Sequence, residues 1–306
     1  MGVNTKAINR RIKSVVNTKK ITKAMELVSA SKMRKAVAAV LASRPYAQMA
    51  WGLAGKLEGR GDEAHPLTVK RPKVARTLAF LLTSDRGLCG GFNAQVLRVA
   101  SEFLRNRPEG SVEFATIGRR AEAWVRRRRQ PLKASFEGLM AGGAPPAAKL
   151  RPLARMAKDG FLKGEYDEVA LIYTDFVSSI LQKPRVKTLL PLSRDEQLGE
   201  VGVQTSDDRA SQSDIRSLNS AYLFEPDPAS VLDALLPRIA EAQLYQAVLE
   251  SLASEHSARM LAMKNATDAA GEMIDDLRLT FNQGRQAAIT QEIAEISAGR
   301  AALAKK

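Results

Sequence analysis

The chain has 306 residues, 45% of them hydrophobic and only 5% aromatic, and a formal net charge of +14. That length supports one large domain or two modest ones with a real core, and no stretch approaches the ~20 apolar residues of a membrane span. A single cysteine, Cys89, excludes an internal disulfide, and with only His65 and His256 beside it the composition argues against a structural zinc site.

The charge is uneven. Residues 1–60 hold 13 basic and 2 acidic side chains, residues 61–228 hold 26 and 21, and residues 229–306 hold 8 and 10. No apolar run follows the first residues, which argues against a secretory signal. Lys6 stands where a myristoylation signal wants Ser or Thr. These features suit a reducing, cytoplasmic compartment.

Residues 3–44 contain neither Pro nor Gly and are rich in strong helix formers. They predict a helix of roughly 63 Å at ~1.5 Å per residue. Pro45 is expected to kink or cap it, with a second helical piece to about Lys56. Ile8, Ile12 and Val15 step by four and three; Ile21, Met25 and Val28 repeat the spacing on a rotated face.

The middle alternates strand and helix signals. Residues 76–84 (RTLAFLLTS), 112–117 (VEFATI), 168–176 (EVALIYTDF) and 185–192 (RVKTLLPL) read as strands, with 221–224 (AYLF) a last short candidate. Residues 93–105, a basic stretch through Arg129, and 147–163 read as helices. This alternation predicts an α/β layer with parallel pairing. Residues 193–220 are polar and charged, as in a surface loop.

After Pro237 only three glycines interrupt a helical composition to the last residue. The 69 residues from Arg238 would span roughly 100 Å if straight, with Asp227 or Ser230 as a candidate cap. Ala270, Ile274, Leu277 and Phe281 form one stripe, and Ile289, Ile293 and Ile296 an offset second one. Two arrangements fit: a short antiparallel coiled coil whose ends serve other surfaces, or two helices packed on a globular core. Thirteen alanines between 253 and 304, with one aromatic, make the last helix slim.

Candidate chemistry is sparse. No G-x-x-x-x-G-K-[ST] is present. SDRGLCGGFN at 84–93 follows a strand and precedes a helix, where a phosphate loop would sit, but it lacks both the glycine spacing and the lysine of one. Gly87, Gly90 and Gly91 are better explained by a tight turn of positive φ. Cys89 is either a nucleophile or, more simply, a small residue packed in that turn. Ser254, Glu255, His256 and Ser257 nominally supply a Ser/His/acid set, yet neighbours on one helix point in different directions. The pairs Asp207–Asp208 and Asp275–Asp276 have no third ligand in sequence. The four arginines at 126–129 and the basic first helix admit two partners, a nucleic acid or an acidic protein surface. Few aromatics are available to stack bases.

Three blocks then carry a resemblance: INRRIKSV with TKKITKAMELV at 8–28, SDRGLCGGFN with LFEPDP at 223–228, and residues 254–299 (SEHSARMLAMKNATDAAGEMIDDLRLTFNQGRQAAITQEIAEISAG). In order and spacing they resemble the γ subunit of the F-type ATP synthase, from end to end. The resemblance implies an α/β fold class: a long antiparallel coiled coil of the N- and C-terminal helices with an inserted Rossmann-like α/β domain. The implied segments are an N-terminal shaft helix at 1–60, a foot domain at 61–228 and a C-terminal shaft helix at 229–306.

It further implies a central-stalk rotor that transmits torque between a proton-driven c ring and a catalytic α/β hexamer, with α, β, ε, δ and the c ring as partners. Neither nucleic acid nor cofactor is implied, and no catalytic or metal-binding residue of its own. Membrane association would be peripheral, through the complex, on the cytoplasmic face of a bacterial inner membrane. By position, Lys20, Lys23 and Met25 fall where the family's shaft passes acidic lever loops of β. Arg285, Gln286, Thr290 and Glu292 fall in the C-terminal block that also contacts β. Tyr222, Glu225 and Asp227 fall in the foot near the c ring and ε. One departure is Arg300 after Gly299, where the family usually reads Gly-Ala. With Cys89 alone, the thiol switch of chloroplast members cannot operate.

Overall fold

The computed structural model describes residues 5–57, 65–140, 142–193 and 225–303. Its elements are helix α1 (Thr5–Leu57), β1 (Thr77–Leu82), α2 (Phe92–Arg105), β2 (Val112–Ile117), α3 (Arg119–Arg127), β3 (Leu132–Phe136), α4 (Arg151–Leu162), β4 (Glu168–Phe176), β5 (Gln182–Leu190) and α5 (Pro228–Leu303). They form two compact units, Met1–Val28 with Met260–Lys306, and Ser29–Arg259.

The larger unit is built on a five-stranded sheet in the order β3-β2-β1-β4-β5. The first four strands run parallel, and β5 returns antiparallel to β4 through a hairpin. The parallel part has the 3-2-1-4 order of a Rossmann sheet. β1 lies at its centre, and all six of its residues are buried, as a strand covered on both faces requires. Its pleat sends Leu78, Phe80 and Leu82 to one face and Ala79 and Leu81 to the other.

On the second face α2 and α3 cover the sheet with Val96, Ala100, Ala121 and Val125. Trp124 meets the edge of Phe114 at 5.9 Å between ring centroids. The first face is covered by α4 and by the stretches of α1 and α5 within this unit, through Val40, Leu153, Phe161, Leu244, Val248 and Leu252. Each such side chain contributes roughly 1.5–3 kcal/mol by leaving water. From 246 to 257 every residue of α5 is buried, so this part of the helix is core on all sides.

Three sequence expectations change. Pro45 does not end or divide α1, which continues to Leu57. β3 carries no strong strand signal because it is a short edge strand whose residues alternate between exposed and half-buried. Positive φ falls on Leu88 (64°) and Gly90 (54°) rather than on Gly87 and Gly91. The strand expected at 221–224 lies outside the described residues.

In the smaller unit the N-terminal part of α1 packs against the C-terminal part of α5. The Thr267 hydroxyl donates to the Thr22 hydroxyl at 2.7 Å. A Cβ at Gly271 would stand 2.9 Å from Lys19 Nζ. Residue numbers rise on one helix as they fall on the other, so the pair is antiparallel. On α5 the covered positions include 263, 267, 270, 274, 277, 281 and 284; on α1 they include 8, 12, 15, 19, 22 and 26. Both follow alternating steps of four and three, a heptad seam.

The seam does not rotate where the apolar stripe does. It continues through Lys19, Thr22 and Glu26, while Ile21 and Val28 stand 60% and 55% exposed. The offset stripe on α5 lies beyond the last covered position, 284, with Ile293 at 60% and Ile296 at 67% exposure. The second stripes are thus surface rather than a shifted seam.

Candidate functional site

In a Rossmann-type sheet, ligands sit outside the carboxyl ends of the strands where the order reverses, here between β1 and β4. The loop after β1 folds on itself. Ser84 Oγ donates to the Arg86 carbonyl at 2.6 Å, and Asn93 Nδ2 reaches Ser84 Oγ at 2.7 Å and Cys89 Sγ at 3.1 Å. Cys89 is buried in that turn. Asp85 Oδ1 accepts from the amides of Arg119 and Gly138. Gly118 packs so tightly that a Cβ would lie 2.2 Å from the Thr83 carbonyl oxygen, at a φ of +95°, so only glycine fits.

The chain itself occupies the neighbourhood of this loop. Arg259 on α5 donates to the carbonyls of Arg86 and Gly87, each at 3.3 Å. Ser254 Oγ donates to the Thr174 carbonyl at the end of β4, and Ser257 Oγ to the Ser179 carbonyl at 2.5 Å. Ser254, His256 and Ser257 therefore point to three different partners, and no Ser/His/acid triad assembles. His256 lies against Arg259 at 3.3 Å, and burial, with the Arg259 charge, lowers its pKa to about 4. It is neutral at pH 7 and holds a structural position. Glu255 pairs with Arg259 at 2.7 Å, both side chains nearly out of water, and burial raises the Glu255 pKa.

A second buried polar group joins α5 to the sheet. Arg185 on β5 donates to the Tyr173 hydroxyl through Nε and Nη2, at 3.0 and 2.8 Å, and its Nη1 lies 3.5 Å from Asp175. Gln246 donates to Glu250 at 2.8 Å. Burial, then the Asp175 charge, pushes the Glu250 pKa to about 7. Sequence reasoning missed these residues because α5 was read as an amphipathic shaft. The available signal was the lack of a polar stripe from 243 to 257, where Leu, Val and Ala alternate with Gln, Glu and Ser.

The residues named from sequence fall in separate places. Lys20 and Lys23 are exposed, Met25 is half-buried, and Lys23 pairs with Glu26 at 2.9 Å. Arg285, Gln286, Thr290 and Glu292 are exposed on α5. Position 19 lies beside 271 and 22 beside 267, so Arg285 stands about 21 Å further along the helix. The two contact sets are not brought together. Asp227 caps α5, accepting from the amide and hydroxyl of Ser230 at 2.9 and 2.6 Å, which lowers its pKa. Glu225 is exposed, and Tyr222 lies outside the described residues. Among the described residues no group of three or more His, Cys, Asp or Glu side chains is arranged to hold a metal ion. No described helix is long and apolar enough to cross a membrane.

A family model described as ATP synthase matches residues 4–303. The ATP synthase gamma chain of Herpetosiphon aurantiacus is 45% identical over 310 residues, covering 98% of this chain and 99% of that one. Those of Roseiflexus castenholzii (99% of each chain) and Acidithiobacillus ferrooxidans (98% and 99%) are 44% and 43% identical. Among solved structures, a chain of the Tetrahymena thermophila mitochondrial ATP synthase central stalk and c-ring aligns with a TM-score of 0.56 and 25% identity, over 80% of this chain and 99% of that one. The rotor of the Euglena gracilis mitochondrial ATP synthase, at 17% identity, shares the fold with a TM-score of 0.61 over 93% and 98% of the two chains. The chain belongs to the ATP synthase gamma chain family.

Proposed function

We propose that this chain is the central-stalk rotor of a bacterial ATP synthase, turning with a membrane ring and passing torque to a catalytic hexamer that makes ATP. Its partners in this reading are α, β, ε, δ and the c ring, and the nucleotide chemistry belongs to β. The complex carries it peripherally on the cytoplasmic face of the inner membrane. The working segments are a shaft helix at 1–60, a foot at 61–228 and a second shaft helix at 229–306.

The observation that carries the reading is the pair of uncovered stripes on the two-helix unit. Ile21, Leu27 and Val28 on α1 stand 55–60% exposed beside the heptad seam, and Ile289, Ile293 and Ile296 on α5 stand 46–67% exposed beyond its last covered position, 284. Side chains of this kind, repeated along a helix, call for further surfaces around it. In this reading Lys20, Lys23 and Met25 meet acidic loops of β, where the basic character of α1 gives electrostatic complementarity. Arg285, Gln286, Thr290 and Glu292 meet β closer to the end of α5, and Tyr222, Glu225 and Asp227 face the c ring and ε. Torque entering the α/β layer reaches α5 through the Arg259 contacts with the Arg86 and Gly87 carbonyls and the hydroxyls of Ser254 and Ser257.

Purification of the native complex under mild detergent tests this directly. The chain is expected with α, β and ε in one assembly. Recovery as a free protein or bound to nucleic acid would refute the reading.

A further inference from the structure

The parallel strands all begin at one end of the sheet, and α2, α3 and α4 all finish there. Backbone bonds tie this end together: the Thr77 amide donates to the Ser111 carbonyl, that of Phe114 to Pro131 and that of Asp167 to Arg76. The four segments that form it, residues 70–76, 105–110, 126–133 and 163–168, contain twelve basic and four acidic side chains.

Three of the four carboxylates are already used. Asp167 is held by Arg71 at 2.8 Å, Glu168 by Arg107 at 2.5 Å, and Glu165 lies 3.5 Å from Lys133. Lys73, Arg105, Arg127, Arg129 and Lys163 are exposed and have no carboxylate partner among the described residues. Cations favour helix C-termini, which accounts for Arg105 and Lys163. It does not account for Lys73, which precedes a strand, or for Arg129, beyond the end of α3. Val74 and Leu162 stand among these cations at 38% and 47% exposure.

We propose that this end of the sheet is a contact surface for the anionic phospholipid headgroups of the membrane beside which the rotor turns. The inference rests on the rotor reading above. A recess of about 280 Å³ opens within the surface, but Glu113 and Glu165 line it together with Arg76 and Lys133, so it is not a seat for one phosphate. The positive excess lies outside it, spread over the ends of several elements, and suits a partner that presents many phosphates over an area. A nucleic acid fits less well, because the aromatic faces at this end are covered: Arg128 lies over Trp124 and Arg107 over Phe103. An acidic protein would be expected to meet an apolar centre ringed by charge, and Val74 and Leu162 are isolated side chains. Dispersed cations with a few apolar side chains are the composition that binds an anionic leaflet. A fluid leaflet also imposes no preferred angle on a turning subunit, as a fixed protein partner would.

The test uses the assembled complex of this chain with its catalytic subunits, in which the rotor reading encloses the basic first helix. Sedimentation with vesicles of phosphatidylglycerol and phosphatidylcholine is compared with phosphatidylcholine alone. The parent complex is expected to bind only the anionic vesicles and to lose them as salt is raised. The triple variant Lys73→Gln/Arg127→Gln/Lys163→Gln should lower affinity roughly a hundredfold at low salt, at about 1 kcal/mol per cation near an anionic surface. The charge-matched variant Lys6→Gln/Arg10→Gln/Lys13→Gln should leave binding unchanged. Equal losses from both variants, or no loss from the first, would overturn the proposal. So would a triple variant that keeps vesicle binding but sheds an acidic subunit. If no complex assembles at all, the rotor reading fails first, and the two failures are thereby distinguished.

Discussion

Glu250→Gln probes the buried junction between α5 and the sheet. In the parent chain this carboxyl is almost fully buried, and burial followed by the Asp175 charge raises its pKa from 4.5 to about 7. Below 4.5 the carboxyl is protonated in both folded and unfolded chains, and its contribution to stability is fully present. As pH rises from there the unfolded chain releases the proton while the folded one keeps it, so stability falls until the folded group also titrates near 7. The interval between 4.5 and about 7, at about 1.36 kcal/mol per pH unit, amounts to roughly 3 kcal/mol.

Glutamine cannot titrate. It still accepts the Gln246 amide and supplies its own N–H toward Asp175. The variant should therefore match the parent near pH 4.5 and exceed its stability by roughly 3 kcal/mol near pH 8. Urea unfolding followed by circular dichroism at the two pH values measures this. A difference that does not vary with pH, or a variant less stable at pH 8, would refute the assignment of Glu250 as a carboxyl kept neutral by burial.

Arg259→Met leaves Glu255 buried without its partner and should cost about 3–5 kcal/mol in chemical denaturation; adding Glu255→Gln should restore most of the loss. Gly118→Ala forces a Cβ toward the Thr83 carbonyl at positive φ, and a loss of at least about 2 kcal/mol is expected; an unchanged midpoint would show that the turn can yield. The double variant Ile289→Asp/Ile293→Asp alters side chains already in water, so the isolated chain should stay within about 0.5 kcal/mol of the parent. Recovery of α and β in copurification with the variant should nevertheless drop, and undiminished recovery would contradict the role given to the uncovered stripe.

Much of the α/β core was legible because β1, β2 and β4 are predominantly apolar runs bounded by turn residues, as doubly covered strands are. β3 was not, since an edge strand of alternating Lys, Ser and half-buried positions has little apolar signal. The coiled-coil seam was only half legible. Ile8, Ile12, Val15 and the run from Ala270 to Phe281 marked it correctly, but Lys19, Thr22 and Glu26 continue it. The apolar side chains left over are the ones facing outward. Apolar periodicity alone cannot separate a seam shared within one chain from a face left for another molecule; the burial pattern can. The junction at Glu250 was illegible for a related reason: its polar residues sit on a helix buried all round, where periodicity vanishes.

As the rotor of the central stalk, this subunit turns inside its complex. With the hexamer immobilised and a probe attached through Ala148→Cys, an exposed position, single-molecule imaging during ATP hydrolysis measures that directly. Stepwise rotation of the probe in one direction, ceasing when ATP is withdrawn, is the expected result. A complex that hydrolyses ATP while the probe keeps a fixed angle would contradict it.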